Sequence, residues 1–357
     1  MSSPKPIRIA NVSGNPNLDW CWIRDLIDRD FVIGDRPLRW SNFSLSAKQQ
    51  FANPRAVKLA RRFPGLARCA GAAAFAAAAQ QTPFDLIVSH GPWVPSWVEY
   101  AMRVRRTNRT ARHFGFSFNF TDLPTGLRYQ LMARSFRQVD LLTVFTEAEL
   151  DLYQEYFRLD RQTILRAPWG VAAPLRSPPP RLIEGEYFAA LGGEARDYET
   201  LCEAARRCPD TKFVVIARPK NFQHVDPPAN LSVHFNLPYA EAWGILWHAV
   251  ASIISLRSRD TPCGLVTLIG TMHLGKAQIV THSVGVAEYV RDGESGILVA
   301  PRDPQAMVEA IRRLRENPEL RCRLGNQARI QATANYNEAA TVEFFKDRLQ
   351  EWFGKLD

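Results

Sequence analysis

The segment from Asp260 to Asp303 constrains the fold of this chain more than any other part of the sequence. An apolar run from Leu265 to Leu274 ends at Gly275, and a short β-rich strand follows from Gln278 to Thr281. Glycine-containing turns and a second short strand complete the segment. This order of helix, strand and glycine-rich turn predicts one βα repeat of an α/β sheet.

The same alternation of strands and helices continues through both halves of the chain. The predicted strands are Ile7–Val12, Phe84–Ser89, His113–Asn119, Leu141–Thr146, Tyr187–Leu191, Lys212–Ile216, Leu231–Phe235 and Ser252–Ser255. The predicted helices include Asp19–Asp28, Glu147–Phe157, Asp197–Arg207, Ala240–Val250 and Gln305–Glu316. Such alternation predicts parallel α/β sheets, and 357 residues suffice for two domains of ordinary size.

Composition restricts the class of protein. No run of about twenty apolar residues occurs, so no membrane-spanning helix is predicted. Residues 1–10 lack the apolar core of a signal peptide. The six cysteines have no metal-ligand spacing, which favours reduced thiols in a cytoplasmic protein.

The net charge of +9 calls for a partner or another physical reason. One basic cluster lies beside apolar residues in the first half, and it consists of Arg55, Lys58, Arg61, Arg62 and Arg68. Two interpretations of this cluster are open. Either it consists of solvated helix faces, or it contacts an anionic membrane surface, which would make the protein peripheral on the inner face of the cytoplasmic membrane. No motif for RNA or DNA binding occurs, so nucleic acid is not an expected partner.

The segment 260–303 resembles the nucleotide-sugar half of the glycosyl transferases group 1, a large and mostly retaining glycosyltransferase family. The family pattern is GLxLLEAMAxGKPVVAT followed by GGxxExVxDGxxGxLVxPxD. The matching residues are Gly264, Leu265, Val266, Met272, Gly275, Lys276, Thr281, Gly285, Glu288, Asp292, Gly293, Gly296, Leu298, Val299 and Pro301.

This resemblance implies the GT-B fold, an α/β architecture in which two Rossmann-like domains face each other across a cleft. It implies an N-terminal acceptor domain at 1–172, a Pro-rich linker at 173–185 and a nucleotide-sugar-binding domain at 186–336. A C-terminal helix at 337–357 is expected to cross back to the N-terminal domain.

The family pattern also has two glutamates separated by seven residues, and this chain keeps neither. Counting back from Met272, their positions are Pro262 and Gly270. Either Thr267, Thr271 or Asp260 takes over in holding the donor, or donor binding has weakened.

The resemblance implies a donor-diphosphate site in the second domain. Gly192, Gly193 and Arg196 resemble a family segment in which glycines admit a pyrophosphate to backbone N–H groups and a cation neutralises the leaving group. Arg218 is a second candidate cation, and Thr267 and Glu288 are further donor-binding candidates. The alternatives are a surface ion pair for Arg196, a core position for Thr267 and turn support for Glu288.

Candidate residues of the first domain lie at predicted strand ends. Asp122, His90 and Asn119 are the candidate catalytic groups, with Asp122 as first choice for a base if the reaction inverts configuration. The turn at Ser13 and Gly14 is a candidate loop for the acceptor or a phosphate, although a simple tight turn fits equally well.

The expected function is therefore metal-independent transfer of a hexosyl or uronosyl group from a nucleotide sugar, in particular a UDP-sugar. The expected acceptor is a saccharide or lipid-linked saccharide of capsule, exopolysaccharide or lipopolysaccharide assembly, and the expected outcome is retention of configuration. No cofactor is expected, because GT-B enzymes stabilise the leaving group with Arg, Lys and helix dipoles. The alternatives are a non-catalytic domain that binds a nucleotide sugar or a partner enzyme, and another GT-B chemistry such as that of an epimerase or phosphorylase.

Overall fold

The computed structural model describes residues 4–18, 22–28, 30–107, 110–257 and 261–354. The chain forms two compact units. The first comprises residues 1–168 together with 341–357, and the second comprises residues 169–340. Residues 173–185, predicted as a linker, belong to the second unit, where Leu175 and Ile183 pack against a buried cluster.

The first unit contains a seven-stranded sheet. Its strands are β1 Ile7–Ser13, β2 Val32–Ile33, β3 Arg36–Ser44, β4 Leu86–His90, β5 Arg112–Phe116, β6 Leu141–Val144 and β7 Ile164–Arg166. Their order in the sheet is β2-β3-β1-β4-β5-β6-β7. All neighbours pair in parallel except β2, which forms a hairpin with β3. The central strands β1, β4 and β6 are buried along nearly their whole length, as expected of a parallel sheet covered on both faces.

Helices cover this sheet. They are α1 Trp22–Leu26, α2 Ala47–Gln50, α3 Pro54–Arg62, α4 Pro64–Gln81, α5 Val94–Val104, α6 Gly126–Phe136 and α7 Glu147–Phe157. The alanine run of α4 lets this helix pack closely, since Gly71 lies against the backbone of Ser44 and Leu45. Of the predicted helix Asp19–Asp28, residues 19–21 lie outside the described residues.

The second unit contains a six-stranded parallel sheet of order β10-β9-β8-β11-β12-β13. Its strands are β8 Phe188–Leu191, β9 Phe213–Ala217, β10 Leu231–Phe235, β11 Ser252–Ile254, β12 Gln278–Thr281 and β13 Ile297–Val299. The helices are α8 Tyr198–Arg206, α9 Tyr239–His248, α10 Leu265–His273, α11 Pro304–Glu316 and α12 Pro318–Asn335. In sequence order within this unit the strands run 3-2-1-4-5-6, which is the doubly wound Rossmann arrangement.

The last helix, α13 Glu338–Phe353, begins in the second unit and packs in the core of the first. Its Phe345 is fully buried and stacks on Phe114 of β5, with ring centroids 5.4 Å apart. The Thr341 hydroxyl donates to the carbonyl oxygen of Pro168 at 2.8 Å. The expectation of two α/β units with a returning C-terminal helix is confirmed.

Predicted elements of the second unit differ from the observed ones by at most two residues at their ends. In the first unit the strand predicted at His113–Asn119 ends at Phe116, where Ser117 adopts a left-handed conformation with φ 63°. Among the described residues, none of the helices is both long and apolar enough to cross a membrane.

Candidate functional site

The second sheet reverses its winding between β8 and β11, and ligands of doubly wound proteins bind beyond the carboxyl ends of the strands at this point. Residues 192–197 leave β8 here. Arg196 forms an isolated bridge with Leu256, which follows β11. The predicted donor loop therefore lies at the topological switch point of its own sheet.

The guanidinium of Arg196 is held by hydrogen bonds to the protein. Its Nε and Nη2 donate to the carbonyl oxygen of Leu191 at 3.3 and 3.1 Å, and Nη1 donates to the carbonyl oxygen of Glu194 at 3.0 Å. Nη2 also donates to Thr267 Oγ1 at 3.1 Å. No carboxylate of the described residues lies within ion-pair distance of Arg196, and burial lowers the pKa of its guanidinium. The result is a fixed cation that forms no direct ion pair with the described carboxylates, of which Glu194 is near enough to act on its pKa.

Two glycines make room for this cation. A Cβ at Gly192 would lie 2.3 Å from Nη2 of Arg196, and a Cβ at Gly264 would lie 2.9 Å from Nη1. Both glycines also adopt positive φ, 136° and 81°, which side chains rarely tolerate. Only glycine at both positions lets the backbone approach the guanidinium so closely.

Gly264 is also the N-cap of α10, so the start of this helix lies beside Arg196. The first turn of a helix carries N–H groups without partners inside the helix, and the helix dipole adds partial positive charge. Thr267 lies in this turn, where its hydroxyl contacts Arg196. Arg196 and the start of α10 together form a cradle for an anion. Sequence reasoning matched Gly264 to the family pattern but did not include it in the site.

Arg218, the second candidate cation, follows β9 and forms an ion pair with Glu194. Lys220 Nζ lies 3.1 Å from the same carboxylate, so Glu194 is shared by two cations. The three side chains are about half exposed. Gly193 lies against Arg218, because a Cβ there would come within 2.9 Å of its side chain.

Gly270, which the sequence count assigns to a glutamate position of the family pattern, has no room for a side chain. A Cβ at Gly270 would lie 2.4 Å from the Trp243 ring. Thr271 is fully buried and its hydroxyl donates to the carbonyl oxygen of Thr267 at 2.7 Å. Of the replacements considered from sequence, Thr267 contacts Arg196, Thr271 bonds within its own helix, and Asp260 lies outside the described residues. Glu288 is half-buried in the turn after β12, and its carbonyl oxygen accepts a hydrogen bond from the Tyr336 hydroxyl at 3.0 Å.

The first sheet has its own switch point between β1 and β4, and Ser13, Gly14 and His90 lie at the ends of these strands. His90 Nε2 lies 2.6 Å from Asn11 Oδ1, and Asn11 Nδ2 donates to Asn42 Oδ1 at 3.1 Å. This chain of polar groups links three neighbouring strands.

Burial lowers the pKa of His90 to about 3, so the imidazole is neutral at ordinary pH. A group with so low a pKa is a weak proton acceptor, which favours a positioning role for His90 over that of a general base. Asp122 is exposed in the loop before α6, and Asn119 is half-buried three residues earlier. Neither Asp122 nor Asn119 belongs to the chain of hydrogen bonds that runs from His90 through Asn11 to Asn42.

Gly14 lines a pocket of about 360 Å³ in the first unit together with Lys48, Arg61 and Arg68. A Cβ at Gly14 would meet nothing within 4 Å, so the backbone there is open to a ligand. The Ser13 hydroxyl accepts a hydrogen bond from the N–H of Asn15 at 3.2 Å, as in a tight turn. The predicted turn at Ser13 and Gly14 thus lies beside three cations.

The family model described as glycosyl transferases group 1 matches residues 197–331. A D-inositol 3-phosphate glycosyltransferase from Nocardioides is 33% identical over 100 residues, which is 28% of this chain and 22% of the relative. The enzyme of the same name from Streptomyces coelicolor is 29% identical over 142 residues, 38% of this chain and 31% of the relative. The matched segments therefore span less than a third of these relatives' lengths.

Solved structures of similar fold cover nearly the whole chain. Sucrose-phosphate synthase from Thermosynechococcus elongatus has a TM-score of 0.73 at 17% identity, covering 97% of this chain and 99% of that one. Anabaena HepE in complex with UDP and glucose has a TM-score of 0.70 at 12% identity and covers 96% and 99%. The α,α-trehalose 6-phosphate synthase from Burkholderia multivorans has a TM-score of 0.65 at 12% identity and covers 97% of each chain.

Proposed function

Because residues 197–331 belong to the glycosyl transferases group 1 and the chain has the GT-B fold, we propose that this protein transfers a sugar from a nucleoside diphosphate donor to an acceptor hydroxyl. The observation that carries the proposal is the position of Arg196 between Gly192 and Gly264. Negative charge grows on the diphosphate as the glycosidic bond to the donor breaks, and fixed positive groups stabilise that charge.

The second unit supplies these groups without reorganisation. The Arg196 guanidinium is already held by Leu191, Glu194 and Thr267, and the first turn of α10 lies against it. A diphosphate bound here would pair the buried Arg196 guanidinium with an anion. Because the site is shielded from water, the attraction between the two charges is stronger than it would be at an exposed surface. The proposal requires no metal ion.

We propose a UDP-sugar as donor, since the HepE structures of similar fold contain UDP or UDP-glucose. The reaction proposed is retaining, in which the leaving diphosphate accepts the proton of the acceptor hydroxyl. If configuration instead inverts, the base must be a carboxylate, and the exposed Asp122 is the candidate.

The proposed acceptor is a saccharide or lipid-linked saccharide of cell-surface polysaccharide assembly. Supporting this, α3 carries Arg55, Lys58, Arg61 and Arg62 on exposed positions, and these cations suit a peripheral protein at an anionic membrane surface.

A non-catalytic role in nucleotide-sugar binding is the second candidate. What favours it is the count from Met272, which assigns Pro262 and Gly270 to the positions of the family's two glutamates, together with the packing of Gly270 against Trp243. The two candidates share the anion cradle and differ in whether nucleoside diphosphate is released.

The proposal is tested by titrating UDP, GDP, ADP and dTDP into wild type, Arg196→Lys and Arg207→Lys by isothermal calorimetry. Lysine keeps the positive charge but lacks the planar guanidinium that donates to Leu191, Glu194 and Thr267 at the same time. Arg196→Lys should therefore weaken nucleotide binding by roughly tenfold or more. Arg207 is the matched control, because it is the C-cap of α8, the helix that follows Arg196, and pairs only with the surface residue Glu203 among described carboxylates.

Release of nucleoside diphosphate from the corresponding sugar nucleotide, measured with a panel of saccharide acceptors, then separates the two candidates. Release that rises with acceptor supports transfer, and binding without release supports the non-catalytic role. Absence of binding by every nucleotide would contradict both.

A further inference from the structure

The first unit has an apolar groove of about 990 Å³ between the start of α4 and the helices α5 and α6. Its lining is mostly hydrophobic and includes Phe63, Leu66, Trp97, Leu127 and Leu131. Leu127 is 71% exposed, and Phe63, Leu66 and Leu131 are each at least half exposed. A contiguous set of large exposed apolar side chains marks an interaction site rather than ordinary surface.

Two of the three arginines that line this groove, Arg68 and Arg128, contact the same indole ring. The Cζ atom of Arg68 is 5.3 Å from the ring centroid of Trp93, and the Cζ atom of Arg128 is 5.0 Å from it. Burial lowers the pKa of Arg68, and the charge of Arg128 lowers it further. Of the described residues that line the groove, none is acidic, and neither arginine has an ion-pair partner among the described carboxylates.

Two like charges held close together without an acid are stabilised when an anion binds between them. Planar guanidiniums bind phosphate through paired N–H groups, and both of these contact the Trp93 ring. The groove therefore combines a pair of arginines suited to phosphate with an apolar lining. A pocket of this size is within the range that proteins use for small ligands.

We propose that this groove binds a single anionic amphiphile, with its phosphate on Arg68 and Arg128 and its hydrocarbon chain along Phe63, Leu66, Leu127 and Leu131. Charge complementarity selects this occupant: a chain without an anion would leave the two arginines unpaired, and an anion without a chain would leave the trough exposed to water.

The position of Arg68 also fixes which way the head group extends. Arg68 lines both the groove and the neighbouring pocket that contains Gly14, Lys48 and Arg61. Polar groups attached to the phosphate would thus extend toward the carboxyl end of β1, at the switch point of the first sheet. The assignment of this amphiphile as the sugar acceptor rests on the proposed function, whereas its binding does not.

Binding is measured by isothermal calorimetry with dodecyl phosphate below its critical micelle concentration, using inorganic phosphate and dodecyl maltoside as comparison ligands. Dodecyl phosphate should bind wild type at least tenfold more tightly than either comparison ligand. Arg128→Ala should lose roughly tenfold in affinity, because a charge-assisted contact is removed. Leu127→Gln should weaken binding several-fold at no cost to folding, since the side chain is exposed.

Arg161→Ala is the charge-matched control, as Arg161 is exposed in the turn before β7 and does not line the groove. Equal binding of both dodecyl compounds, or unchanged affinity in Arg128→Ala, would overturn the proposal. A third result would also overturn it: dodecyl phosphate fails to bind, and sedimentation shows concentration-dependent self-association that Leu127→Gln abolishes. A second copy of the chain would then be the occupant of the groove. The nucleotide affinities of the same variants should equal that of wild type. A failure of amphiphile binding can therefore be distinguished from a failure of the proposed function.

Discussion

At the scale of single residues, Glu149 shows how burial can oppose a capping interaction. It is the N3 glutamate of a capping box with Thr146 at the start of α7, where an ionised carboxylate would normally be favoured. Glu149 is 1% exposed, and desolvation raises the pKa of its carboxyl to about 8 despite hydrogen bonds from Phe145, Thr146 and Tyr153. The folded protein therefore binds a proton at neutral pH that the unfolded chain releases.

We expect this proton to make stability depend on pH. Since the pKa is raised in the folded state, the contribution of Glu149 is fully present below about pH 4.5 and is lost as pH rises to about 8. The free energy of unfolding of wild type relative to Glu149→Gln should fall by up to about 1.4 kcal/mol per pH unit inside this window. Urea unfolding of both proteins at several pH values from 4.5 to 9 measures the difference, and a constant difference would show that the carboxyl is ionised when folded.

Residue roles were predictable from sequence only as far as chemistry and position along the chain determine them. Arg196 was identifiable because it follows a glycine pair after a predicted strand. Its contact with Thr267, 71 positions later in the sequence, depends on the order of strands in the sheet, which no local pattern states. His90 was identifiable as a strand-end polar group, but its low pKa follows from burial beside Asn11 and could not be read from its neighbours in sequence.

At the scale of elements, α10 depends on the glycine that precedes it. An alanine at Gly264 meets two obstacles, its φ of 81° and the 2.9 Å approach of its Cβ to the Arg196 guanidinium. The backbone obstacle costs about 1–2 kcal/mol. The close approach of the added Cβ displaces Arg196 from the start of α10, so we expect Gly264→Ala to lose nucleotide affinity as well as stability.

Gly293→Ala separates the two effects. Gly293 has a φ of 72°, and an added Cβ there would meet nothing within 4 Å. Both variants should therefore be destabilised by a similar backbone term in thermal unfolding, whereas only Gly264→Ala should weaken nucleotide binding in calorimetry. Equal affinity in the two variants would mean that Arg196 does not need its contact with Gly264.

Elements were predicted well where apolar periodicity is strong and poorly where it is not. The buried strand at Gln278–Thr281 and the helix at Glu147–Phe157 were predicted at their observed bounds. The hairpin of β2 and β3 was not predicted, since most residues of β3 are only half-buried and alternate irregularly. The signal that could have located it is Gly34-Asp35, a two-residue turn between the strands.

At the scale of the whole molecule, the chain contributes to the first unit twice, at residues 1–168 and again at 341–357. The apolar stripe of the last helix was visible in the sequence, because Val342, Phe345 and Leu349 recur at helical spacing. The surface that this stripe covers was implied only by the family resemblance. Similarly, the groove residues come from the four helices α3 to α6 and their connections, between positions 62 and 135, so their association required the fold.

The return of the chain makes the first unit depend on its last residues. Phe345 is fully buried and stacks on Phe114 and Trp40, with ring centroids 5.4 and 6.3 Å apart. We expect Phe345→Ala to destabilise the first unit by about 3–5 kcal/mol, because a buried aromatic ring is replaced by a cavity. Two units need not unfold together, so a single global transition cannot locate this loss.

Hydrogen exchange followed by mass spectrometry gives the required location. In Phe345→Ala, exchange should rise in β1, β4 and β5, whose unit includes the helix, and should stay unchanged in β8, β9 and β11. Ile330→Ala is the control, since Ile330 lies on α12 and is 62% exposed, and it should alter neither sheet. A rise confined to α13 itself would mean that the first sheet is stable without its C-terminal helix. A rise in both sheets would instead mean that the two units unfold as one cooperative body, with α13 contributing to the stability of both.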